Sequence, residues 1–203
     1  MELILGTRNR KKGEELLELL APWGFKLITL ADVPDSIEVE ETGETFAENA
    51  ALKACEQARH LKRWVLGEDS GLVVDALKGA PGVYSARFSG PNATDERNNQ
   101  LLLEKLGELP LEKRTAHYVC HATLSDPDGN VRAESEGYCR GRIRFEYAGS
   151  GGFGYDPLFE IVEYHRTFGE LGPVVKAALS HRARAIRELI PAMLRLVDTG
   201  VWQ

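Results

Sequence analysis

The sequence has no apolar stretch approaching the roughly 18 residues that a membrane-crossing helix requires. Its opening, Met1-Glu2 followed by Leu3-Ile4-Leu5, lacks the charged-then-apolar pattern of a secretory signal. A cytoplasmic protein without membrane partners is the expectation. Cysteine is scarce: Cys55, Cys120 and Cys139 are odd in number and fall in no CxxC or CxxH spacing, which argues against a disulfide framework or a structural zinc site. They read as small buried apolar residues. No internal repeat, low-complexity tract or linker marks a boundary, so residues 1–203 are expected to form a single domain. Positive charge is outweighed as well. With 25 Lys and Arg against 31 Asp and Glu, the formal net charge of −6 opposes binding of a long polyphosphate backbone. Nucleic acid is therefore not an expected partner, whereas a small anion remains possible at a locally basic or metal-bearing site.

What is present is enough apolar residue, 43%, to fill a core. Leu3 to Leu5 reads as a buried strand, Leu16, Leu17 and Leu20 as one face of a helix ending near Pro22 and Gly24, and Phe25 to Leu30 as a second strand. This is the opening of an α/β domain. Thr45-Phe-Ala-Glu48 has capping-box form and predicts a helix over 46–62. Phe46, Ala50, Ala54 and Leu61 mark its buried side, with Asn49, Lys53 and Glu56 on a polar stripe. Val65-Leu66 and residues 71–74 are strand-like, with Glu68-Asp69-Ser70 interrupting them. Residues 79–87 hold too much Gly and Pro for regular structure, and a helix over 95–106 follows. Residues 115–125 and 131–144 read as strands on either side of Asp126-Pro-Asp-Gly-Asn130, a hairpin turn that puts antiparallel strands inside a mixed sheet. Ser180 can cap a last helix bearing Ala183, Ile186, Ile190, Met193 and Val197, in which Pro191 predicts a kink or early break.

Chemistry concentrates in a few places. A strand that ends in Gly6-Thr7-Arg8-Asn9 and opens a helix presents backbone N–H groups and a positive dipole end, which attract phosphate. Lys12 can reach back over that opening, and Arg8, Arg10 and Lys11 add positive potential; a capped turn with solvated basic residues is the plainer reading. The spacing is not that of a P-loop. Gly149-Ser-Gly-Gly-Phe-Gly154 satisfies G-x-G-x-x-G, but the Pro-interrupted, strand-like Tyr155 to Ile161 follows where a dinucleotide fold needs a helix. The loop reads either as a wall where Phe153 or Tyr155 lies flat on a base, or as a core aromatic beside a tight turn. Glu68-Asp69 suits a hard cation such as Mg2+, to which Glu38, Glu40 or Glu41 offers a further ligand; a polar loop and a solvated acidic run are the alternatives. His181 and Arg182 stand at a helix amino end, the unfavourable end for cations, which points to an anionic or carbonyl-bearing partner.

In this order the elements resemble the inosine triphosphate pyrophosphatase, or Ham1-like, family. The resemblance covers nearly the whole chain. It rests on Thr7-Arg-Asn9-Arg-Lys-Lys12-Gly-Glu-Glu15, on Glu41-Thr-Gly-Glu-Thr-Phe-Ala-Glu-Asn-Ala50 with Lys53, and on Glu68-Asp-Ser-Gly71. Gly79-Ala-Pro-Gly-Val-Tyr-Ser-Ala-Arg87, Gly151-Gly-Phe-Gly-Tyr-Asp156 and Ser180-His-Arg182 complete it. Arg8 stands where the family commonly has Gly, and Glu68 where it commonly has Asp. The resemblance implies an elongated mixed β-sheet flanked by helices, with two lobes and a central cleft, and a homodimer. It also implies Mg2+-dependent hydrolysis of dITP, ITP and XTP to the monophosphate and pyrophosphate. Carried over by motif, Thr7, Arg8, Asn9, Arg10, Lys11 and Lys12 would hold phosphates. Asp69 would be catalytic base and metal ligand, with Glu40 or Glu41 as second ligand. Ser70, Phe153, Gly154, Tyr155, Asp156, Lys176, His181 and Arg182 would bind the nucleotide, and Lys12, Lys53 and Lys176 would supply positive charge. The rivals are a related house-cleaning pyrophosphatase with another base preference, an inert nucleotide-binding module, and, disfavoured by the strand after Gly154, a NAD-dependent enzyme.

Overall fold

In the computed structural model of the protein, which describes residues 1–202, Leu3, Ile4 and Leu5 are all fully buried, though they point alternately to opposite faces of a strand. The chain runs β1 (Glu2–Leu5), α1 (Arg10–Leu20), β2 (Lys26–Thr29), α2 (Phe46–Leu61), β3 (Val65–Val74), α3 (Asp95–Leu106), β4 (Thr115–Ser125), β5 (Val131–Ile143), β6 (Phe159–Ile161), β7 (Arg166–Thr167), α4 (Phe168–Leu179) and α5 (His181–Asp198). Seven strands form one sheet in the order β2-β1-β3-β4-β5-β6-β7. It is mixed: β1 is parallel to β2 and β3, while β6 is antiparallel to β5 and β7. The expected α/β class is the one observed. No helix among the described residues is long and apolar enough to cross a membrane.

The chain divides into two compact units, one comprising Met1–Asp69, Cys120–Gly137 and the segment from Arg182 onward, the other Ser70–Val119 and Tyr138–His181. In the first unit, Leu3, Leu5 and Leu66 pack against Leu16 and Leu20 of α1 and Ala185, Ile186, Leu189 and Met193 of α5. Ile4 and Val65 turn the other way, toward Ala58 of α2. Helices on both faces explain why β1 is a run of apolar residues rather than an alternation. In the second unit, Leu72, Tyr118, Ile143 and Phe159 pack with Leu102 and Leu106 of α3 and Phe168 of α4.

Local signals set the helix starts. The Asn9 side chain accepts from Lys12 N at 3.1 Å and caps α1, and α2 carries both halves of its capping box at Thr45 and Glu48. Several expectations need correction. Glu68-Asp69-Ser70 does not interrupt a strand, since β3 is continuous through it. Asn49, placed on a polar stripe of α2, is fully buried. Residues 82–87 wind into a short 3-10 helix. Helix α5 runs through Pro191 to Asp198 without the expected break. Helix α4, kinked at Gly172 (φ 75°), forms where the sequence pattern predicts no helix.

The hairpin between β4 and β5 is held by one carboxylate. Asp126 Oδ1 accepts from Asp128 N and Asn130 N, each at 3.0 Å, and Arg132 Nη1 donates to Oδ2 at 3.4 Å. Burial pushes the Asp126 carboxyl up, but these donors outweigh it and its pKa lies below the ordinary aspartate value. A depressed folded-state pKa contributes stability that is present above the unfolded value and lost as pH falls through the folded one. Asp126→Ala is therefore expected to destabilise the protein by about 1–3 kcal/mol at neutral pH. Urea titrations across pH should show that difference shrinking below the ordinary aspartate range; a difference that grew there would contradict this reading.

Candidate active site

The functional side chains of the first unit are placed by strand β3, whose successive residues face α1 and α5, then α2. Helix α2 lies so close to Gly67 that a Cβ there would meet Ala50 O at 2.5 Å and Ala54 N at 2.6 Å, which reserves the position for glycine. The next two residues carry charge. Glu68 turns to the α1 and α5 side, where Lys12 Nζ lies 3.1 Å from Oε1 and Arg182 Nη2 donates to its carboxylate at 3.3 Å. Cys120 Sγ donates to the same group at 3.3 Å, and Arg182 Nη1 donates to Glu15. Asp69 turns to α2, where Lys53 Nζ donates to Oδ1 at 2.9 Å and Asn49 Nδ2 to Oδ2 at 3.4 Å. Lys53 Nζ also lies 3.4 Å from Glu41 Oε1.

Adjacent carboxylates thus have different electrostatics. Burial pushes Glu68 up, but Arg182, Lys12 and Lys53 outweigh it and hold the group well below the usual carboxylate range. Asp69 goes the other way: burial raises it, Lys53 and Lys12 oppose, and Glu41 adds a further upward push, leaving a net rise. Burial lowers the Lys53 ammonium, yet Asp69, Glu68 and Glu41 reverse that and leave it raised, so it is a cation at neutral pH. Burial raises the Cys120 thiol well above its ordinary value, with Glu68 adding to the effect, so this cysteine is no nucleophile. Glu68 is a structural anion between cations, whereas Asp69 and Glu41 offer hard oxygen donors on a single ammonium. That donor set suits a divalent ion that completes its shell with water and phosphate oxygens. Among the described residues, no three His, Cys, Asp or Glu side chains gather as a metal-binding group.

Other residues singled out from the sequence are distributed more widely. Thr7 Oγ1 accepts from Asn9 N at 3.2 Å, so these two shape the turn at the amino end of α1. Arg8 is engaged with the 36–37 loop: its Nη2 donates to Ser36 O, Ser36 Oγ and Ile37 O at 3.1 Å and anchors that loop. Arg10 is exposed and pairs with Glu14 at 2.9 Å, and Lys11 is exposed too. Glu38 and Glu40 are exposed, and Glu41 is the member of that run that reaches Lys53. Arg182 is 1% exposed, its guanidinium engaged with Glu15 and Glu68, which explains the cation at this helix start. Asn49 and Glu15 join these contacts although the sequence gives neither of them a role in the site. Asn49 had a signal in its spacing of one turn from Lys53, and Glu15 in the motif that also contains Lys12.

The second unit contains Ser70, half-buried on β3, and a cluster around the glycine-rich loop. Asp156 Oδ2 accepts from Lys176 Nζ at 2.6 Å and Phe153 N at 2.8 Å. A Cβ on Gly152 (φ 75°) would meet that same oxygen at 2.1 Å, so the loop needs glycine there. Lys176 Nζ lies 4.2 Å from the centre of the Phe153 ring. Tyr155 OH donates to Ser85 O at 2.8 Å, tying its ring into the core rather than leaving it as a wall. His181 stacks on Tyr118 at 4.6 Å and 10°, and Tyr118 OH lies 3.5 Å from Asp156 Oδ1. Burial, then Asp156 and Tyr155, raise the Tyr118 phenol well above its ordinary value, which keeps it a neutral donor. Tyr118 carried no sequence signal beyond strand alternation.

A strand-to-helix turn, a strand bearing buried carboxylates met by lysines, and an aromatic glycine-rich loop define a class on a mixed α/β sheet. The chain belongs to that class by descent: residues 3–192 match the Ham1 family, and it is a member. It is 58% identical over 199 residues to a protein of Rhodopirellula baltica named dITP/XTP pyrophosphatase, spanning 98% of this chain and 96% of that one. An Exiguobacterium protein of the same name is 50% identical over 198 residues, 95% of this chain and 99% of its own. Among solved structures, a HAM1 protein from Coxiella burnetii superimposes with a TM-score of 0.85 at 36% identity, covering 96% of this chain and 98% of the other.

Proposed function

We propose that the protein hydrolyses dITP, ITP and XTP to the monophosphate and pyrophosphate with Mg2+, removing deaminated purines from the nucleotide pool. The observation that carries this reading is the environment of Asp69. It is a buried carboxylate of raised pKa beside Lys53 and Glu41, on a strand whose neighbouring residue Glu68 holds Lys12, in a chain of net charge −6. The names of the full-length relatives support it.

Lys12, Lys53 and the positive amino end of α1 at Thr7 and Asn9 are assigned to the triphosphate. Their charge lowers the energy of the phosphoryl oxygens and of the departing pyrophosphate as negative charge builds there. Asp69 is the general base, taking a proton from the water that attacks the α-phosphorus; its raised pKa makes it a better proton acceptor than an ordinary aspartate. Glu41 and Asp69 would hold Mg2+, which when bound neutralises phosphate charge and polarises the phosphoryl group. Phe153, Asp156, Lys176 and His181 are assigned to the nucleoside: an aromatic face for the ring, donors and an acceptor for its edge. Ser70 is assigned to the same end. A polar site built for a 6-oxo purine leaves donors unpaired on a 6-amino purine, a mismatch that can discriminate by about 10⁴-fold. The reading also includes a homodimer, implied by the family resemblance, for which sedimentation velocity is the check; a cytoplasmic location is the expectation from the sequence.

The test is a product assay on dITP with and without Mg2+. Pyrophosphate release in stoichiometric amount with the monophosphate, abolished by chelation, is the expected result. Orthophosphate release, or turnover equal on dATP, would overturn the reading.

A further inference from the structure

The loop around Phe153 has little conformational preference of its own, because Gly149, Gly152 and Gly154 all adopt positive φ (75°, 75° and 60°). Its shape must be imposed. Part of the restraint is local, through Asp156 Oδ2 on Phe153 N at 2.8 Å. Asp156 N also donates to Phe153 O at 3.2 Å, and Gly151 N donates to Gly169 O of α4 at 3.0 Å. A separate restraint comes from α3, whose residues grip Gly154 by both of its backbone polar groups. Gly154 N donates to Asp95 Oδ2 at 2.8 Å, and Asn99 Nδ2 donates to Gly154 O at 2.8 Å. Asp95 and Asn99 stand one helical turn apart, so they share a face. Besides its contacts with Asp156 and Lys176, Phe153 is therefore also restrained by α3 through the residue that follows it.

Stability does not account for these side chains. Asn99 is 2% exposed, and its Oδ1 is buried with no hydrogen-bond partner among the described residues. A buried acceptor without a donor is a cost that an apolar side chain of similar size would avoid. The neighbouring Asn98 shows the contrast. Its Oδ1 accepts from Ser89 N and Ser89 Oγ at 2.8 Å, and its Nδ2 donates to Ala86 O at 3.1 Å. Asp95 is exposed, and its contribution to the helix dipole is one that any acidic residue in the first turn provides, as Glu96 does beside it. The specific contact with Gly154 N is what that contribution leaves unexplained.

We propose that Asp95 and Asn99 are positioning residues for base recognition, holding Gly154 so that the Phe153 ring stays over Lys176 in the orientation that receives the purine. The inference rests on the assignment of Phe153 to the base.

The test is steady-state kinetics on dITP, with inhibition by inorganic tripolyphosphate, which carries no base, measured alongside. Asp95→Ala is expected to raise KM about tenfold with kcat within about twofold and tripolyphosphate inhibition unchanged, the loss of one charge-assisted hydrogen bond. Asp95→Asn keeps an oxygen acceptor while removing the charge, and should restore KM to within about twofold of the parent. Asn99→Ala should raise KM in the same way; if its melting temperature shows that it does not fold, the exposed Asp95 variants decide the matter. Phe153→Ala separates the layers. If it raises KM while Asp95→Ala does not, the role of α3 is wrong and the base assignment stands. If Phe153→Ala leaves KM unchanged, the base assignment fails and the inference falls with it. A parallel loss of dITP and tripolyphosphate binding in Asp95→Ala would make the contact merely structural and overturn the proposal.

Discussion

Asp69→Asn is expected to lower kcat on dITP by about a thousandfold while the protein stays folded and still binds nucleotide. The substitution preserves shape and removes the oxygen that accepts from Lys53 as a carboxylate, so the water loses its base and the hard-cation site loses one of its charges. Folding should tolerate it, because burial works against the charged form of Asp69 and Glu41 remains beside Lys53. Kinetics together with equilibrium dialysis of dITP check both halves. Full turnover would remove Asp69 from the mechanism, and loss of binding with loss of turnover would recast it as a substrate ligand.

Arg182→Met should act on the fold first. Arg182 is the counter-charge of Glu68 and Glu15, and its removal takes from the buried Glu68 carboxylate its largest positive neighbour, leaving Lys12 in contact and Lys53 beyond it. Breaking a buried pair from one side typically destabilises by about 3–5 kcal/mol, or roughly 6–20 °C in melting temperature for a chain of this size. Adding Glu68→Gln removes the stranded charge, and the double variant should recover part of the loss. Calorimetry on the single and double variants measures it. An unchanged melting temperature with a raised KM for dITP would instead favour Arg182 as a direct contact to the base, the role its motif implies.

The contrast between motif and geometry at Arg182 shows how far the sequence is legible. Local features were readable because their partners are near in sequence: the Asn9 cap of α1, the Thr45 and Glu48 box of α2, the Asp126 turn and the boundaries of α3. Features whose partners are remote were not. Glu68 and Asp69 look like loop residues because an isolated strand does not bury carboxylates. They remain in β3 because α1, α2 and α5 bring Lys12, Lys53 and Arg182 to them, and Arg182 meets Glu15 across 167 positions. Helix α4 was hidden by Gly169, Gly172 and Pro173, which punctuate its first half. Pro191 does not break α5, since tertiary packing of Ile190 and Met193 keeps the helix going through it. Within the site, lysine and carboxylate positions were legible as motif spacing. Tyr118 and the grip of α3 on Gly154 were not, because each depends on a contact that alternation and periodicity do not encode.

The central claim is that Asp69 and its lysines direct water to the α-phosphorus of a deaminated purine triphosphate. Hydrolysis of dITP in ¹⁸O-labelled water, limited to a single turnover with excess enzyme and read by mass spectrometry, tests it most directly. The label is predicted in the monophosphate with unlabelled pyrophosphate, and label in the pyrophosphate would place the attack on the β-phosphorus and contradict the account.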